Sequence, residues 1–524
     1  MEQREQKKRL LKSTFAVAAP TVLSRILGYL RDMIQAFFLG TGTGADAFTI
    51  AYIIPNLLRR LTGEGTMTAA FVPVFTQMKE EKSKEKLWRF ANTFFFDLTL
   101  VMAVLAVCGI IFSPILVKII APGFKQLPGK WALTVVLTQI MFPYIFLISL
   151  AALAMAILNS FHKFAVPAFT PVLFNLAIIC LAVIFAGNME QPSYIFAIGV
   201  VVGGLFQLAF QLPFLWKKGM RFKFGLSFSH PAIRKVGALM VPGIFGIGIT
   251  QINLAVSRVI ASLLEEGSVS SLYYATRVRE LTLGLFSIAL SIALLPTFSE
   301  QAAHRDIEGM KKTLIFSFKL IFLVTLPAMV GLLILNRQIV TVLFQRGLFG
   351  DQSTTVTAAC LLFFSMGLPF VSAVKILAPA FFSLKDTKTP VIAAFFVMIV
   401  YLSLSFWLMS SLRVGGIALA LSVAEAFNFF LLFLFLERKI GRIEKKEIYS
   451  SFLKSSVSAV LMGAVIWFFM EQFEFQSLEF LKQLGALLSA ILLGILSYIL
   501  LSLLFNARDL ESLRDIFSKE KTSP

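Results

Sequence analysis

Apolar runs long enough to cross a membrane recur along the whole chain, separated by short polar stretches. A helix needs about 20 mostly apolar residues to cross a hydrocarbon core of about 30 Å. The pattern therefore predicts an all-α, polytopic membrane protein without a sizeable soluble domain. It predicts fourteen transmembrane helices, over residues 12–39, 45–79, 88–120, 130–160, 165–187, 192–216, 235–264, 268–302, 311–336, 353–383, 388–412, 415–437, 449–470 and 480–505.

Composition and charge agree with this interpretation. Hydrophobic residues make up 57% of the chain, against about 45–50% in soluble domains. The net charge of +19 would suggest nucleic acid in a soluble protein. Here lysines and arginines concentrate in the loops on the side of the N-terminus, and the positive-inside rule makes that side cytoplasmic. The sequence predicts a multi-pass membrane protein with both termini cytoplasmic, contacts with membrane lipids, and no nucleic-acid partner.

Prolines and glycines repeat at a near-constant spacing, which indicates two copies of a six-helix unit. The matching positions are Pro20 with Pro242, Pro73 with Pro296, Gly123 with Gly347, Pro143 with Pro369, Pro167 with Pro390, and Gln207 with Asn428. Six is an even number, so both copies enter the membrane from the same side and form a parallel repeat. The predicted domains are an N-lobe (1–218, helices 1–6), a C-lobe (219–440, helices 7–12), and helices 13–14 with the tail (441–524).

Arginines lie deep within several of the predicted helices. A charge at the bilayer centre costs at least about 2.5–3.5 kcal/mol, so such residues usually face a wet cavity and have a function there. Arg25, Arg59 and Arg277 are the main candidates. A guanidinium binds phosphate oxygens with two parallel hydrogen bonds. Several such cations favour an anionic substrate with a diphosphate head group over a cationic one.

Further charged residues are candidates for supporting roles. Arg25 and Asp32 share a helix face, whereas Arg31 starts from another face. For Arg31 and Asp32, structural pairing with each other is the favoured alternative to a substrate contact. Glu425 and Asn428 share a face of helix 12 and form a weak candidate ion site, for which a capped or paired structural acid is the favoured interpretation. The remaining candidates are Arg31 and Lys375 for substrate binding, and Asp32, Asp46, Glu64 and Glu280 for supporting or gating roles.

The sequence contains no signature of catalysis or of metal binding. Its three cysteines lie far apart, and the histidines and carboxylates show no zinc spacing. The stretch 123–131 resembles a Walker A motif only superficially, because its gap is too long and Trp131 replaces Ser or Thr. The chain is therefore predicted not to be an enzyme and to use no cofactor. The membrane potential or a cation gradient remains as the candidate energy source.

Four stretches, residues 24–32, 46–48, 55–60 and 64–73, closely resemble the MurJ (MviN) family of the multidrug/oligosaccharidyl-lipid/polysaccharide exporter superfamily, and a looser match extends through residues 274–281 and 295–296. The resemblance implies a protein of the bacterial cytoplasmic (inner) membrane. The resemblance covers essentially the whole chain. It implies a lipid II flippase with a V-shaped pair of lobes, a central cationic cavity, and a groove at helices 13 and 14 for the polyprenyl tail. Arg25, Arg59 and Arg277 match the family's essential arginines. Other important family positions match Arg31, Asp46, Glu64, Glu280 and Lys375.

The resemblance implies transport of undecaprenyl-pyrophosphate-linked peptidoglycan precursor from the inner to the outer leaflet by alternating access, with cell-wall synthesis proteins as candidate partners. Two departures are Thr276, where some relatives carry an acid, and helix 11, which has no carboxylate. Three alternatives stay open. They are a flippase for another polyprenyl-linked oligosaccharide, a drug/cation antiporter, which would need more cavity acids, and a non-transporting membrane scaffold.

Overall fold

The computed structural model describes the backbone of residues 2–62 and 66–505, and the side chains there except residues 2–17, 54, 58–62, 66, 242–255, 285, 286, 288 and 289. This part of the chain is helical and contains no strand. Sixteen α-helices follow one another: α1 (Glu2–Leu39), α2 (Thr43–Thr62), α3 (Thr66–Glu81), α4 (Lys84–Ile120), α5 (Pro128–Met141), α6 (Pro143–Ser160), α7 (Ala165–Phe185), α8 (Ser193–Lys217), α9 (Pro231–Ser262), α10 (Ser268–Ala303), α11 (Ile307–Phe344), α12 (Asp351–Met366), α13 (Leu368–Ser383), α14 (Lys388–Ile440), α15 (Lys445–Glu471) and α16 (Phe480–Phe505).

Each of the fourteen predicted helices corresponds to helical chain, with breaks that the apolar pattern did not predict. The predicted helix 130–160 is interrupted at Phe142, where Pro143 begins α6. The predicted helix 353–383 bends by 46° between α12 and α13. The predicted helices 388–412 and 415–437 are joined as α14, in which Arg413 alone has non-helical dihedral angles (φ 50°, ψ −131°).

Within the described residues, eight helices are long and apolar enough to cross a membrane, counting α5 and α6 as one, and the bent α12–α13 pair makes nine. The expectation of an all-α polytopic membrane protein is thereby confirmed. The helices α1, α2 and α10 are not among these spans, and they carry Arg25, Arg59 and Arg277. The arginines thus lie on helices that do not meet the length and apolarity expected of a membrane span.

The chain forms two compact units by contact. The first unit comprises residues 1–270 and 346–350, and the second comprises 271–345 and 351–524. The division differs from the predicted boundary after residue 218 because α9 packs against α2, α3 and α4. The division into units reflects which helices pack together and does not test the sequence repeat. The predicted lobes therefore stay a prediction.

Phenylalanines build the core of each unit. In the first unit Phe71 stacks on Phe90 with ring centroids 5.7 Å apart. In the second unit Phe318 meets Phe429 edge-on at 5.8 Å. Aromatic pairs of this geometry contribute about 0.5–1.5 kcal/mol beyond the burial of their area. These two contacts join α3 to α4 and α11 to α14.

Candidate cationic sites

Two arginines of α1 have different surroundings in the first unit. The Arg25 side chain is exposed, and no hydrogen bond or ion pair reaches it from the described residues. Arg31 instead donates to the buried Asp32 carboxylate at 2.8 Å. The expected structural pairing of Arg31 with Asp32 is confirmed, and the long arginine side chain makes it possible although the two residues start from different faces of α1.

Asn175 on α7 fixes this part of α1. Its Oδ1 accepts a hydrogen bond from Arg31 at 3.2 Å, and its Nδ2 donates to the Ser24 carbonyl at 3.0 Å. One amide side chain therefore contacts α1 at two points about two turns apart, Ser24 just before Arg25 and Arg31 after it. The sequence analysis missed Asn175, although a buried amide in an apolar helix is a signal that a polar partner lies opposite.

Two predicted site residues near the end of α2 can be placed only in part. Arg59 lies in α2, three residues before the helix ends at Thr62, and its side chain is not among those described. Glu64 lies outside the described residues. Their predicted roles stay predictions.

In the second unit, Arg277 and Glu280 form an accessible ion pair on α10. The Arg277 Nη1 donates to Glu280 Oε2 at 3.1 Å, and the side chains remain 29% and 43% exposed. Lys375 on α13 is half-buried and interacts electrostatically with Glu280, Arg279 and Glu425. The structure therefore brings together three predicted residues, Arg277, Glu280 and Lys375, in one charged cluster.

Arg279 forms the second, buried ion pair of α10. Its guanidinium donates to both Glu425 oxygens of α14, at 3.0 and 3.1 Å, and lies 5.0 Å from the Phe364 ring centroid. A side chain at Gly367, in the bend between α12 and α13, would come within 2.5 Å of Glu425. The bend thus leaves room for the Glu425 carboxylate. Sequence analysis missed Arg279, although a buried acid such as Glu425 indicates that a cation lies nearby.

Within the described residues, no group of three or more histidines, cysteines, aspartates or glutamates is arranged to hold a metal ion. Glu425 is engaged by Arg279, while the buried Oδ1 of Asn428 has no hydrogen-bond partner. The Glu425–Asn428 ion site stays a prediction.

Asp46 is the centre of a buried polar cluster in the first unit. Its Oδ2 accepts from Lys130 Nζ at 2.6 Å and from the Gly267 N–H at 2.8 Å. Its Oδ1 accepts from the N–H and hydroxyl of Ser270, at 2.8 and 2.7 Å. These donors match the four lone-pair sites of a carboxylate. Asp46 therefore ties α2 to the start of α5 and to the first turn of α10.

Four glycine-bearing turns lie at the same end of the first unit. A Cβ at Gly123 would come within 2.0 Å of the Ser262 carbonyl, at the end of α9. A Cβ at Gly347 would come within 2.4 Å of the Phe37 carbonyl, at the end of α1. Gly40 and Gly267, with φ of 57° and 89°, approach neighbouring carbonyls as closely. Backbone contacts at these distances exclude any larger side chain.

An apolar cleft of about 440 Å³ lies between α15 and α16 of the second unit. Its wall includes Phe468 and Phe469 of α15 and Leu493 of α16, with Gln472 as a polar residue at one end. These are the helices for which the sequence resemblance implied a groove for a lipid tail.

Comparison with known proteins shows to which family the chain is similar. The family model described as lipid II flippase MurJ matches residues 35–486. The probable lipid II flippase MurJ of Vibrio cholerae serotype O1 is 35% identical over 513 residues, covering 96% of this chain and 97% of that protein. The lipid II flippase MurJ of Burkholderia cenocepacia is 35% identical over 464 residues, covering 87% and 90% respectively.

Solved structures give the same result. A lipid II flippase MurJ in an inward closed conformation matches with a TM-score of 0.78 and 28% identity, covering 94% of this chain and 99% of that one. An inward-facing multidrug resistance MATE transporter of the MOP superfamily shares the fold, with a TM-score of 0.65 and 13% identity over 80% of this chain and 96% of that one. The chain belongs to the lipid II flippase MurJ family.

Proposed function

We propose that this protein moves lipid II, the undecaprenyl-pyrophosphate-linked peptidoglycan precursor, from the inner to the outer leaflet of the bacterial cytoplasmic membrane. Family membership supports the substrate. The observation that carries the chemistry is the presence of an accessible arginine in each unit, Arg25 on α1 and Arg277 on α10. A diphosphate is the lipid head group that guanidinium ions recognise best.

The structure supports a division of labour among the candidate cations. We assign binding of the diphosphate to Arg25, Arg59 and Arg277, with Lys375 adding positive charge beside Arg277. Arg31 and Arg279 are held by Asp32 and Glu425, so we assign them to orienting α1 and α10. The polyprenyl tail would occupy the cleft between α15 and α16, whose wall is almost wholly apolar.

Several features of the cycle belong to the same proposal. Both termini lie in the cytoplasm, and the protein changes the accessibility of its site without catalysing a reaction. After the lipid is released, the empty cationic site must become accessible from the cytoplasmic side again. The membrane potential or a cation gradient supplies the energy for this step, and no cofactor takes part. Asp46 and its donors hold one end of the first unit closed and must separate when that end opens. Enzymes of cell-wall synthesis would receive the transported lipid.

A leaflet-resolved assay of lipid II tests the proposal. Depletion of the protein in cells that lack a second flippase should confine lipid II to the inner leaflet, and the wild-type gene should restore outer-leaflet lipid II. A variant with both Arg25→Ala and Arg277→Ala, expressed at equal level, should fail to restore it. Persistence of outer-leaflet lipid II during depletion would reject the function. Selective loss of another polyprenyl-linked oligosaccharide from the outer leaflet would identify that lipid as the substrate.

A further inference from the structure

Glu280 is the carboxylate that pairs with Arg277 in the second unit. Its carboxylate accepts from Arg277, a cation assigned to the diphosphate, at 3.1 Å. Carboxylate and phosphate oxygens are alternative acceptors for the same guanidinium donors.

Exposure distinguishes this pair from its neighbour on the same helix. The Arg277 and Glu280 side chains are 29% and 43% exposed, whereas Arg279 and Glu425 are 9% and 13% exposed. Exposed pairs three residues apart on a helix are weak, because solvent screens them. Breaking a buried pair leaves an uncompensated charge in a poorly solvated place. Of the two pairs, the one at Glu280 is therefore the one that an incoming anion can open.

We propose, as an extension of the proposed function, that Glu280 is an exchangeable counterion. The diphosphate of the substrate displaces the Glu280 carboxylate from Arg277 on binding, and the carboxylate returns to the guanidinium when the diphosphate leaves. Arg277 is then never left unpaired in the membrane. Glu280 lowers the affinity for the substrate and speeds its release, so that the site does not retain the lipid it transports.

Binding of a short polyprenyl diphosphate to the purified full-length protein tests this role. Farnesyl diphosphate is titrated into wild type, Glu280→Gln and Glu280→Ser in the same detergent, and the affinity is measured by calorimetry. Both substitutions remove the competing charge, so both should tighten binding by about two- to tenfold, the range expected for a weak ion pair. Release of farnesyl diphosphate, followed by stopped flow, should slow by a similar factor.

Matched variants separate this role from a general loss of negative charge. Glu308 forms an ion pair with Lys311, likewise three residues along a helix, at 2.7 Å on α11 of the same unit. Glu308→Gln should leave farnesyl diphosphate binding unchanged. Glu280→Asp keeps the charge on a shorter side chain, so its affinity for farnesyl diphosphate should lie closer to that of wild type than the affinity of Glu280→Gln does.

The outcomes distinguish the counterion from the proposed function. Unchanged or weaker binding in Glu280→Gln and Glu280→Ser, with normal binding by wild type, overturns the counterion alone. Failure of both variants to fold would show a structural role and also overturn it. If wild type does not bind farnesyl diphosphate, or binds it no better than Arg277→Ala does, the proposed diphosphate site itself is wrong.

Discussion

Arg25 and Arg31 in the first unit can be compared with Arg277 and Arg279 in the second. In each unit one arginine is held by a buried carboxylate, Arg31 by Asp32 and Arg279 by Glu425, while the other remains accessible. The units differ in that Arg277 has Glu280 beside it, whereas no ion pair reaches Arg25 from the described residues.

The comparison shows how a membrane helix can carry two arginines with separate roles. A buried guanidinium is tolerated when a carboxylate compensates its charge, and its bonds then fix the helix against its neighbours. An accessible guanidinium keeps donors for a ligand. Of the two accessible arginines, only Arg277 has a carboxylate such as Glu280 beside it among the described residues. The proposed counterion would therefore control substrate release from the second unit.

The largest expected effect concerns the accessible arginines. Arg25→Ala or Arg277→Ala should lower lipid II transport about thirtyfold or more, because loss of one partner of a hydrogen-bonded charge pair costs about 2–5 kcal/mol. Transport in reconstituted vesicles measures the effect, and unchanged thermal unfolding is the control. Normal transport by Arg25→Ala would remove the first unit from the substrate site.

The held arginine of the second unit should affect stability instead. Arg279→Met should lower the free energy of unfolding by about 3–5 kcal/mol, because Glu425 is left buried without a partner. Arg279→Met combined with Glu425→Met should recover most of the loss. Arg277→Met, on the same helix, should change stability by less than about 1 kcal/mol. Denaturant unfolding in detergent measures all three, and equal losses in the two single variants would contradict the comparison.

A smaller effect is expected at the Asp46 cluster, where several groups donate hydrogen bonds to the same carboxylate. Lys130→Met should destabilise the protein by about 1–3 kcal/mol, since Asp46 loses one charged donor and keeps Gly267 and Ser270. Asp46→Ala should cost more, because it leaves Lys130 and two backbone N–H groups unsatisfied together. If Lys130→Met is the more damaging of the two in the same unfolding assay, the cluster is not organised around Asp46.

The smallest effect belongs to Asp386, which lies in the turn before α14. Lys439 at 2.7 Å and the N–H and hydroxyl of Thr389 lower the pKa of Asp386 in the α13–α14 turn. Because the pKa of Asp386 is lower in the folded protein than in the unfolded chain, the ionised carboxylate stabilises the fold at pH values above about 4. This contribution fades as the pH falls below about 4. Asp386→Asn should therefore lower the unfolding temperature slightly at pH 7 and less at pH 3. A larger difference at pH 3 would show the wrong sign.

The fold was largely predictable because the length of an apolar run is a local property of the sequence. The breaks were less so. Pro143 interrupts a helix as prolines do, whereas Gly367, in the bend between α12 and α13, lies against Glu425 of another helix, a contact that local sequence does not reveal. Arg25 and Arg277 could be chosen as candidates because their charge conflicts with their surroundings.

Side-chain partners could not be predicted with equal success. The pairing of Lys130 with Asp46 joins residues 84 positions apart, and that of Arg279 with Glu425 joins residues 146 positions apart. Such contacts depend on how helices pack and rotate, which spacing along one helix does not determine. The resemblance nevertheless indicated Asp46 and Glu280, whose surroundings only the structure reveals.

The glycine turns of the first unit also bear on ancestry. In the predicted repeat, Gly123 belongs to the first copy and leaves no room for a Cβ beside the end of α9 in the second copy, while its counterpart Gly347 belongs to the second copy and leaves no room for a Cβ beside the end of α1 in the first. Reciprocal contacts of this kind define the isologous interface of a two-fold dimer. A gene duplication that fused two copies of a dimeric six-helix precursor would leave this signature, with the former subunit boundary preserved as backbone touching backbone.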